Sequence, residues 1–378
     1  MSTSKYTMPQ GSLISYMSNK VKTYGGINFA QGIPGYNPPE ALLHQLESIA
    51  YDEIHQYAPG IGNLKLRELI LEHYSDFKFD DDQLLVLQGA TEALSLVFQY
   101  IKNSLDQPFA AMAFDPVYES YRHLPRIMNV PFHAYNHKEF DTDHLLRFIK
   151  DYDIKVMFVN SPGNPLGAVF TEQQMIELRH ICDSHGVYMI IDAVYSNLYY
   201  EKPPFYPLKD LSPQVFYINS FSKMLSITGW RIGYLISHPS HTSGLRDIHD
   251  YIGLCANAPL QQALANYLEQ KHYGETYVKW LRETLKSAYN RMENSLLKLN
   301  FDIPKANGGY YVWAKLPQNK DGFEFTMDLY DEAEVAVIPG IHFSESGHNF
   351  IRFNIARPEN ELLEGIKRVE DFCGKRDL

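Results

Sequence analysis

The sequence predicts an α/β fold: a mostly parallel sheet sandwiched by helices in a large domain, with a smaller α+β domain beside it. Three observations carry this prediction. From residue 84 onward, short β-branched runs alternate with amphipathic stretches of helical period, the pattern of strands joined by crossover helices. The runs are apolar throughout rather than alternating, as strands are when helices cover both faces of a sheet. The length, 378 residues, fits two domains at roughly 100–200 residues each.

Taken in order, segment 1–40 is expected to join the small domain. Strands are expected at 84–87, 110–114, 156–160, 187–192, 215–219 and 232–236, each a compact apolar run. Between them, 91–101, 144–151 and 172–185 have the spacing of amphipathic helices. These elements define a large domain at 41–275. Residues 259–299 read as helix without a strand signal and carry the chain into a small domain, 276–378. Its strands are expected at 310–314, 335–339 and 350–355.

Composition narrows the function classes. Hydrophobic residues make up 45% and charged residues 21%, which excludes disorder for the bulk of the chain. The formal charge of −11 repels phosphate backbones, so nucleic acid and anionic membrane are poor general partners. Any anion must be held by a local cluster of donors. Cys182, Cys255 and Cys373 follow no metal-ligand spacing, and an odd, sparse count fits a reducing compartment. The polar N-terminus lacks the apolar core of a signal peptide. No apolar run approaches the ~20 residues that span a bilayer. The expectation is a cytoplasmic protein.

In parallel sheets ligands bind at the carboxyl ends of strands, so the residues there are the candidates for a site. The first strand runs into Gln88-Gly89-Ala90-Thr91. A small-residue turn opening a helix offers free N–H groups and a positive dipole end to a phosphate; Thr91 as a plain helix cap explains the turn as well. The Walker Lys is missing, and no G-x-G-x-x-G stands in the right context. The strand at 156–160 enters Ser161-Pro162-Gly163-Asn164-Pro165, a rigid loop around one amide. Next comes Asp192-Ala193-Val194-Tyr195. A carboxylate at a strand end is costly to bury without a partner, unless it caps the following helix. Finally, Ser220-Phe221-Ser222-Lys223 precedes Gly229-Trp230-Arg231-Ile232-Gly233. Lys223 is the one charge between Val215 and Trp230; burial would lower its pKa and make it an amine nucleophile. Arg231, between glycines, suits a planar fork reaching an anion.

This ordered set, from Gln88-Gly89-Ala90-Thr91 through Asn164-Pro165, Asp192-x-x-Tyr195 and Ser220-x-x-Lys223 to Gly229-x-Arg231-x-Gly233, resembles the fold type I aminotransferases that use pyridoxal 5'-phosphate (PLP). The resemblance covers about 28–357. Within that group, Asn28-Phe29, Gln31-Gly32-Ile33-Pro34, Gln56-Tyr57-Ala58-Pro59 and His249-Asp250-Tyr251 are similar to the methionine and kynurenine/glutamine aminotransferase branch.

The resemblance implies roles. Lys223 forms the PLP aldimine and moves the substrate's proton; Asp192 pairs with the pyridine nitrogen; Asn164 and Tyr195 bond the phenolic oxygen. Ala90, Thr91, Ser220 and Arg231 hold the phosphate, helped by Tyr57 from the other subunit of a homodimer with composite sites. Tyr118 matches the aromatic that stacks on the ring, though a core tyrosine explains it too. Arg352, in Phe350-Ile351-Arg352-Phe353, matches the arginine that grips the substrate α-carboxylate, assisted by the backbone of Gly32. Arg357 has no role in the resemblance and reads as a surface charge. The expected substrates are hydrophobic, sulfur-containing or aromatic L-amino acids with a 2-oxo acid acceptor, in ping-pong order.

Three departures stand out. Ala193 replaces a carboxylate common in the family, Pro34-Gly35 replaces Pro-Asp, and Ile14 stands near a pocket aromatic of kynurenine/glutamine members. The last weakens a kynurenine preference more than a methionine one. A PLP-dependent C–S β-lyase shares the Asp, Lys and Arg set and differs in the bond aligned with the ring. A non-catalytic PLP-binding regulator is the third reading; the full catalytic set, and the lack of a DNA-binding stretch before Asn28, speak against it.

Overall fold

A computed structural model describes residues 5–136 and 141–376. Its strands in chain order are β1 (Ile27–Asn28), β2 (Leu84–Leu87), β3 (Ala110–Asp115), β4 (Phe132–Asn136), β5 (Ile154–Asn160), β6 (Tyr188–Asp192), β7 (Val215–Ser220), β8 (Gly233–Ser237), β9 (Tyr311–Lys315), β10 (Val335–Ala336), β11 (Ile338–Pro339) and β12 (Phe350–Asn354). Seven form one sheet in the order β2-β8-β7-β6-β5-β3-β4. Only β8 runs against its neighbours, β2 and β7; the rest of the ladder is parallel. The expected mostly parallel α/β sheet is therefore present.

The sheet's two faces explain its continuous apolar strands. Along β5, Val156 and Phe158 enter one hydrophobic cluster with Leu94, Val97 and Phe98 of the helix Ala90–Ser104. Met157 and Val159 enter the opposite cluster, with Met175, Leu178 and Ile181 of the helix Glu172–His185. Successive side chains point to opposite faces, so both parities must be apolar. Each fully buried Val, Leu, Ile or Phe contributes roughly 1.5–3 kcal/mol. The edge strand β4 was absent from the sequence reading. Its residues Phe132, His133, Ala134 and Asn136 stay partly or fully exposed, and an edge does not need an uninterrupted apolar run.

A second sheet region gathers the two ends of the chain. β1 pairs in parallel with β10, Ile27 opposite Val335. β9, β11 and β12 form an antiparallel three-stranded sheet. Ile27 and Phe29 pack with Leu362, Ile366 and Val369 of the C-terminal helix Glu359–Gly374. Gly365 makes that approach possible: a Cβ there would stand 2.3 Å from the Phe29 ring.

Several boundaries differ from the expectation. The stretch 335–339 is two short strands joined at Val337. The stretch 259–299 is two helices, Ala258–Gln270 and Glu275–Lys298, separated by His272, Tyr273 and Gly274 at positive φ. Arg357 is no surface charge, for it is only 7% exposed. The chain turns after β12 and tucks the guanidinium beneath Gly35, where a Cβ would meet Ala356 O at 2.9 Å and Arg357 at 3.1 Å. Burial lowers its pKa, and Glu361 and nearby tyrosines oppose that shift. Charge type alone could not reveal a burial created by this turn.

Candidate active site

Asn160, Asp192 and Ser220 end the adjacent strands β5, β6 and β7, with Asn160 opposite Asp192 in the ladder. Beyond them opens a cavity of about 330 Å³. Asp192 is 4% exposed. Its carboxylate accepts a hydrogen bond from Tyr121 Oη at 2.7 Å and from the Val194 N–H at 3.3 Å. Burial raises its pKa, while those two donors and the Lys223 charge pull the other way. Asn160 donates to the Asp192 carbonyl at 2.9 Å and accepts from the Asn164 N–H at 2.8 Å. One amide thus ties the strand end to the loop that carries Asn164.

Lys223 lies in the one-turn helix Phe221–Met224, just after β7. The turn is capped by Ser220, whose Oγ accepts from the Ser222 N–H at 3.0 Å. Lys223 Nζ donates to the Gly32 carbonyl at 2.9 Å, and Tyr310 Oη donates to the same oxygen at 3.1 Å. Burial pushes the Lys223 amine down to about 8; Asp192 opposes this, while Arg231 and Arg352 add to it. An amine in that range is a proton carrier and nucleophile near neutrality.

At one end of the cavity the helix Ala90–Ser104 begins at Gly89, which has φ 84°. A Cβ on Gly89 would stand 2.6 Å from the Arg231 guanidinium, so glycine here admits both the turn and the arginine. Arg231 donates to Thr228 O at 3.2 Å and Gln88 O at 3.3 Å. Ser220 and Ser222 share a 2.8 Å hydroxyl contact beside it. A helix N-terminus, a guanidinium and two hydroxyls form a cradle for a dianion.

At the other end Arg352, on β12, is fully buried. It donates to Asn164 Oδ1 at 3.0 Å and to the Ala30 carbonyl. Its guanidinium lies over the Tyr311 ring at 4.5 Å and the Phe343 ring at 4.7 Å. Among the described residues its buried Nε has no hydrogen-bond partner. Tyr195 Oη and Tyr311 Oη are 3.0 Å apart.

Every sequence-predicted site residue except Tyr57 lines this one cavity: Gly32, Ala90, Thr91, Tyr118, Asn164, Asp192, Tyr195, Ser220, Lys223, Arg231 and Arg352. Tyr57 lies elsewhere and is 82% exposed. The sequence reading missed Tyr121, Asn160, Tyr311 and Glu119, which also line it. Tyr121 stands three residues after Tyr118 and Asn160 ends its strand, so both positions held a usable signal. Tyr311 held none.

The family profile described as aminotransferase class I and II matches residues 24–369. The chain belongs to that family. It is therefore a PLP-dependent aminotransferase. A probable N-acetyl-LL-diaminopimelate aminotransferase of Bacillus subtilis is 26% identical, over 93% of this chain and 90% of its own length. An aspartate aminotransferase of Thermotoga maritima is 28% identical, over 93% and 92%. The structure of N-succinyldiaminopimelate aminotransferase from Mycobacterium tuberculosis superposes with a TM-score of 0.87, at 24% identity, covering 97% of this chain and all of that one. That last likeness concerns the fold.

The residues of this aminotransferase fit PLP. The cradle at Gly89 and Arg231 suits the phosphate, because a side chain at Gly89 would fill it. Asp192, a buried carboxylate whose donors among the described residues are one hydroxyl and one amide, suits a protonated ring nitrogen. Among the described residues, no helix is long and apolar enough to cross a membrane.

Proposed function

We propose that this aminotransferase moves the amino group of hydrophobic, sulfur-containing or aromatic L-amino acids to a 2-oxo acid in ping-pong order, in the methionine and kynurenine/glutamine manner. The observation that carries the reading is the apolar part of the cavity lining. Ile14, Tyr118, Val194 and Tyr311 give the lining an apolar and aromatic character. The relatives' names span aspartate and acylated diaminopimelate, so the donor must be read from this lining rather than from kinship.

When bound, PLP supplies a carbonyl for the amine and a ring that takes up electrons from the substrate's Cα. Asp192 would place a negative charge at the ring nitrogen, and Tyr121 and the Val194 N–H hold that carboxylate in place. Asn164 turns its Oδ1 to Arg352 and keeps its NH₂ for the phenolic oxygen, beside the Tyr195 hydroxyl. Ala90, Thr91, Ser220 and Arg231 would hold the phosphate, and Tyr118 would pack against the ring. Lys223 Nζ carries the proton away from the substrate's Cα, and its depressed pKa suits that task. Arg352 orients the substrate by its α-carboxylate through two parallel charge-assisted bonds, next to the backbone of Gly32.

The proposed assembly is a homodimer in which Tyr57 reaches the partner's phosphate site. Two features support it. Tyr57 is exposed beside a segment with exposed Tyr251, Ile252 and Leu254, and the two segments are joined by the bond between His249 and Gly60 O at 3.0 Å. Contiguous exposed apolar residues mark association surfaces. Three free cysteines support a cytoplasmic setting. The proposed division of the chain is 1–40 with 276–378 as the small domain and 41–275 as the large one, supported by the pairing of β1 with β10.

A donor panel with several 2-oxo acids, followed by the cofactor's absorbance, tests the substrate class. Methionine, phenylalanine and leucine are expected to outrun aspartate. Pyruvate and ammonia released from cystathionine at a comparable rate would instead identify a C–S β-lyase.

A further inference from the structure

Among the described residues, five charged side chains line the cavity: Glu119, Asp192, Lys223, Arg231 and Arg352. Four have tasks in the reading above. Glu119 has none, and among them its charge acts on Arg352, the residue proposed to hold the substrate. It occupies the first turn of the helix Glu119–Ile127 and follows Tyr118 directly. Its Oε1 accepts from Ser12 Oγ at 3.4 Å, the residue that precedes the helix Leu13–Tyr24 carrying Ile14. Its Oε2 lies 3.0 Å from His342 Nε2, in the turn Gly340–His342. Three segments remote in sequence thus meet at one carboxylate of the cavity lining.

Of this pair, Glu119 lines the cavity and His342 is not among the described lining residues. The lining therefore presents the carboxylate to an incoming side chain. Burial alone would raise the Glu119 pKa, but His342, Ser12 and His123 outweigh it and hold the pKa below the usual value. Glu119 is accordingly anionic at neutral pH. Its field also reaches Arg352, which places it within electrostatic range of the α-carboxylate site. Among the described lining residues, no basic side chain beyond Lys223, Arg231 and Arg352 is left to receive a second substrate carboxylate.

We propose that Glu119, held in place by Ser12 and His342, is a specificity-determining residue that rejects amino donors with a distal carboxylate and admits neutral ones of the same shape. Specificity here comes from repulsion, which separates two isosteric substrates without any new attractive contact. This inference rests on the aminotransferase reading of the cavity and deepens it. It separates donors by the charge of the side chain, whereas the donor panel ranks them by apolar character.

The test compares L-glutamine with L-glutamate, equal in shape and different in charge, on the holoenzyme and on Glu119→Gln. Wild type is expected to favour glutamine over glutamate in kcat/KM, and Glu119→Gln to shrink that ratio roughly 10- to 100-fold, as removal of one like charge at several ångströms predicts. A ratio that stays the same would overturn the proposal, even if both rates fall, because Glu119 would then only tie the three segments together. A second measurement does not depend on the variant's folding: inhibition of the wild-type holoenzyme by pentanoate and by glutarate. Pentanoate should bind more tightly, and equal or tighter binding of glutarate would also overturn it. A failed donor panel with a ratio that still shrinks in Glu119→Gln would sink the apolar-donor reading and leave this one standing.

Discussion

The two ends of the cavity are built in different ways. The cofactor end comes from consecutive elements of a single sheet. Asn160, Asp192 and Ser220 end neighbouring strands, and Lys223 and Arg231 follow within eleven residues of the last. The proposed substrate end is collected from distant parts of the chain, from the lining residues Ile14, Glu119, Tyr311 and Arg352. Backbone ladders fix the first arrangement to the accuracy of hydrogen-bond register. The second depends on how the region holding β9 and β12 packs against the large sheet. The cofactor end is thus expected to be rigid and independent of the donor, while the substrate end sets which donor is used.

The comparison breaks most directly at Lys223. Lys223→Ala removes the nucleophile and the proton carrier together and should lower transamination at least ~10³-fold for every donor. Borohydride reduction of wild-type holoenzyme followed by peptide mapping should label Lys223. Label on another lysine would remove the cofactor end from this strand.

Arg352→Ala should lower kcat/KM by roughly 30- to several-thousand-fold, from the ~2–5 kcal/mol of a truncated buried charge pair. The loss should be similar for methionine, phenylalanine and leucine, since all share the α-carboxylate. The analogous amines without a carboxyl group should be nearly indifferent to the change, and cofactor affinity should hold. If acidic donors alone suffer, Arg352 reads the side chain and the two ends must be exchanged.

A smaller effect is expected at Tyr57. Tyr57→Phe removes one hydroxyl from the phosphate and should weaken PLP binding roughly tenfold, the size of a charge-assisted hydrogen bond. The donor ranking should not move. Sedimentation should show a dimer, and a fully active monomer at micromolar concentration would refute the composite site.

The last prediction concerns pH. Because the Lys223 pKa is lowered to about 8, the fraction of neutral amine rises with pH through that value. Reaction of the cofactor-free protein with PLP should therefore speed up between pH 7 and 9, by about tenfold at most from this group. A profile still climbing steeply above pH 10 would mean an unperturbed lysine and an open, wet cofactor end.

The alternation of apolar runs with helical stretches, and the residues that end each run, determined the α/β class and most of the residues that meet in the cavity at the proposed cofactor end. That information is local: a strand end and the turn after it are contiguous, so their chemistry can be read in order. Ala90, Asp192, Ser220, Lys223 and Arg231 are legible for this reason. Tertiary structure alone decided the rest. It buried Arg357 under Gly35, split the helix after residue 270, added the edge strand β4, and set Tyr121 against Asp192. It also brought Ser12, Glu119 and His342 together, though more than a hundred residues separate Ser12 from Glu119 and more than two hundred separate Glu119 from His342. Packing across such separations is set by complementary surfaces, and no periodicity along the chain records which surfaces will meet.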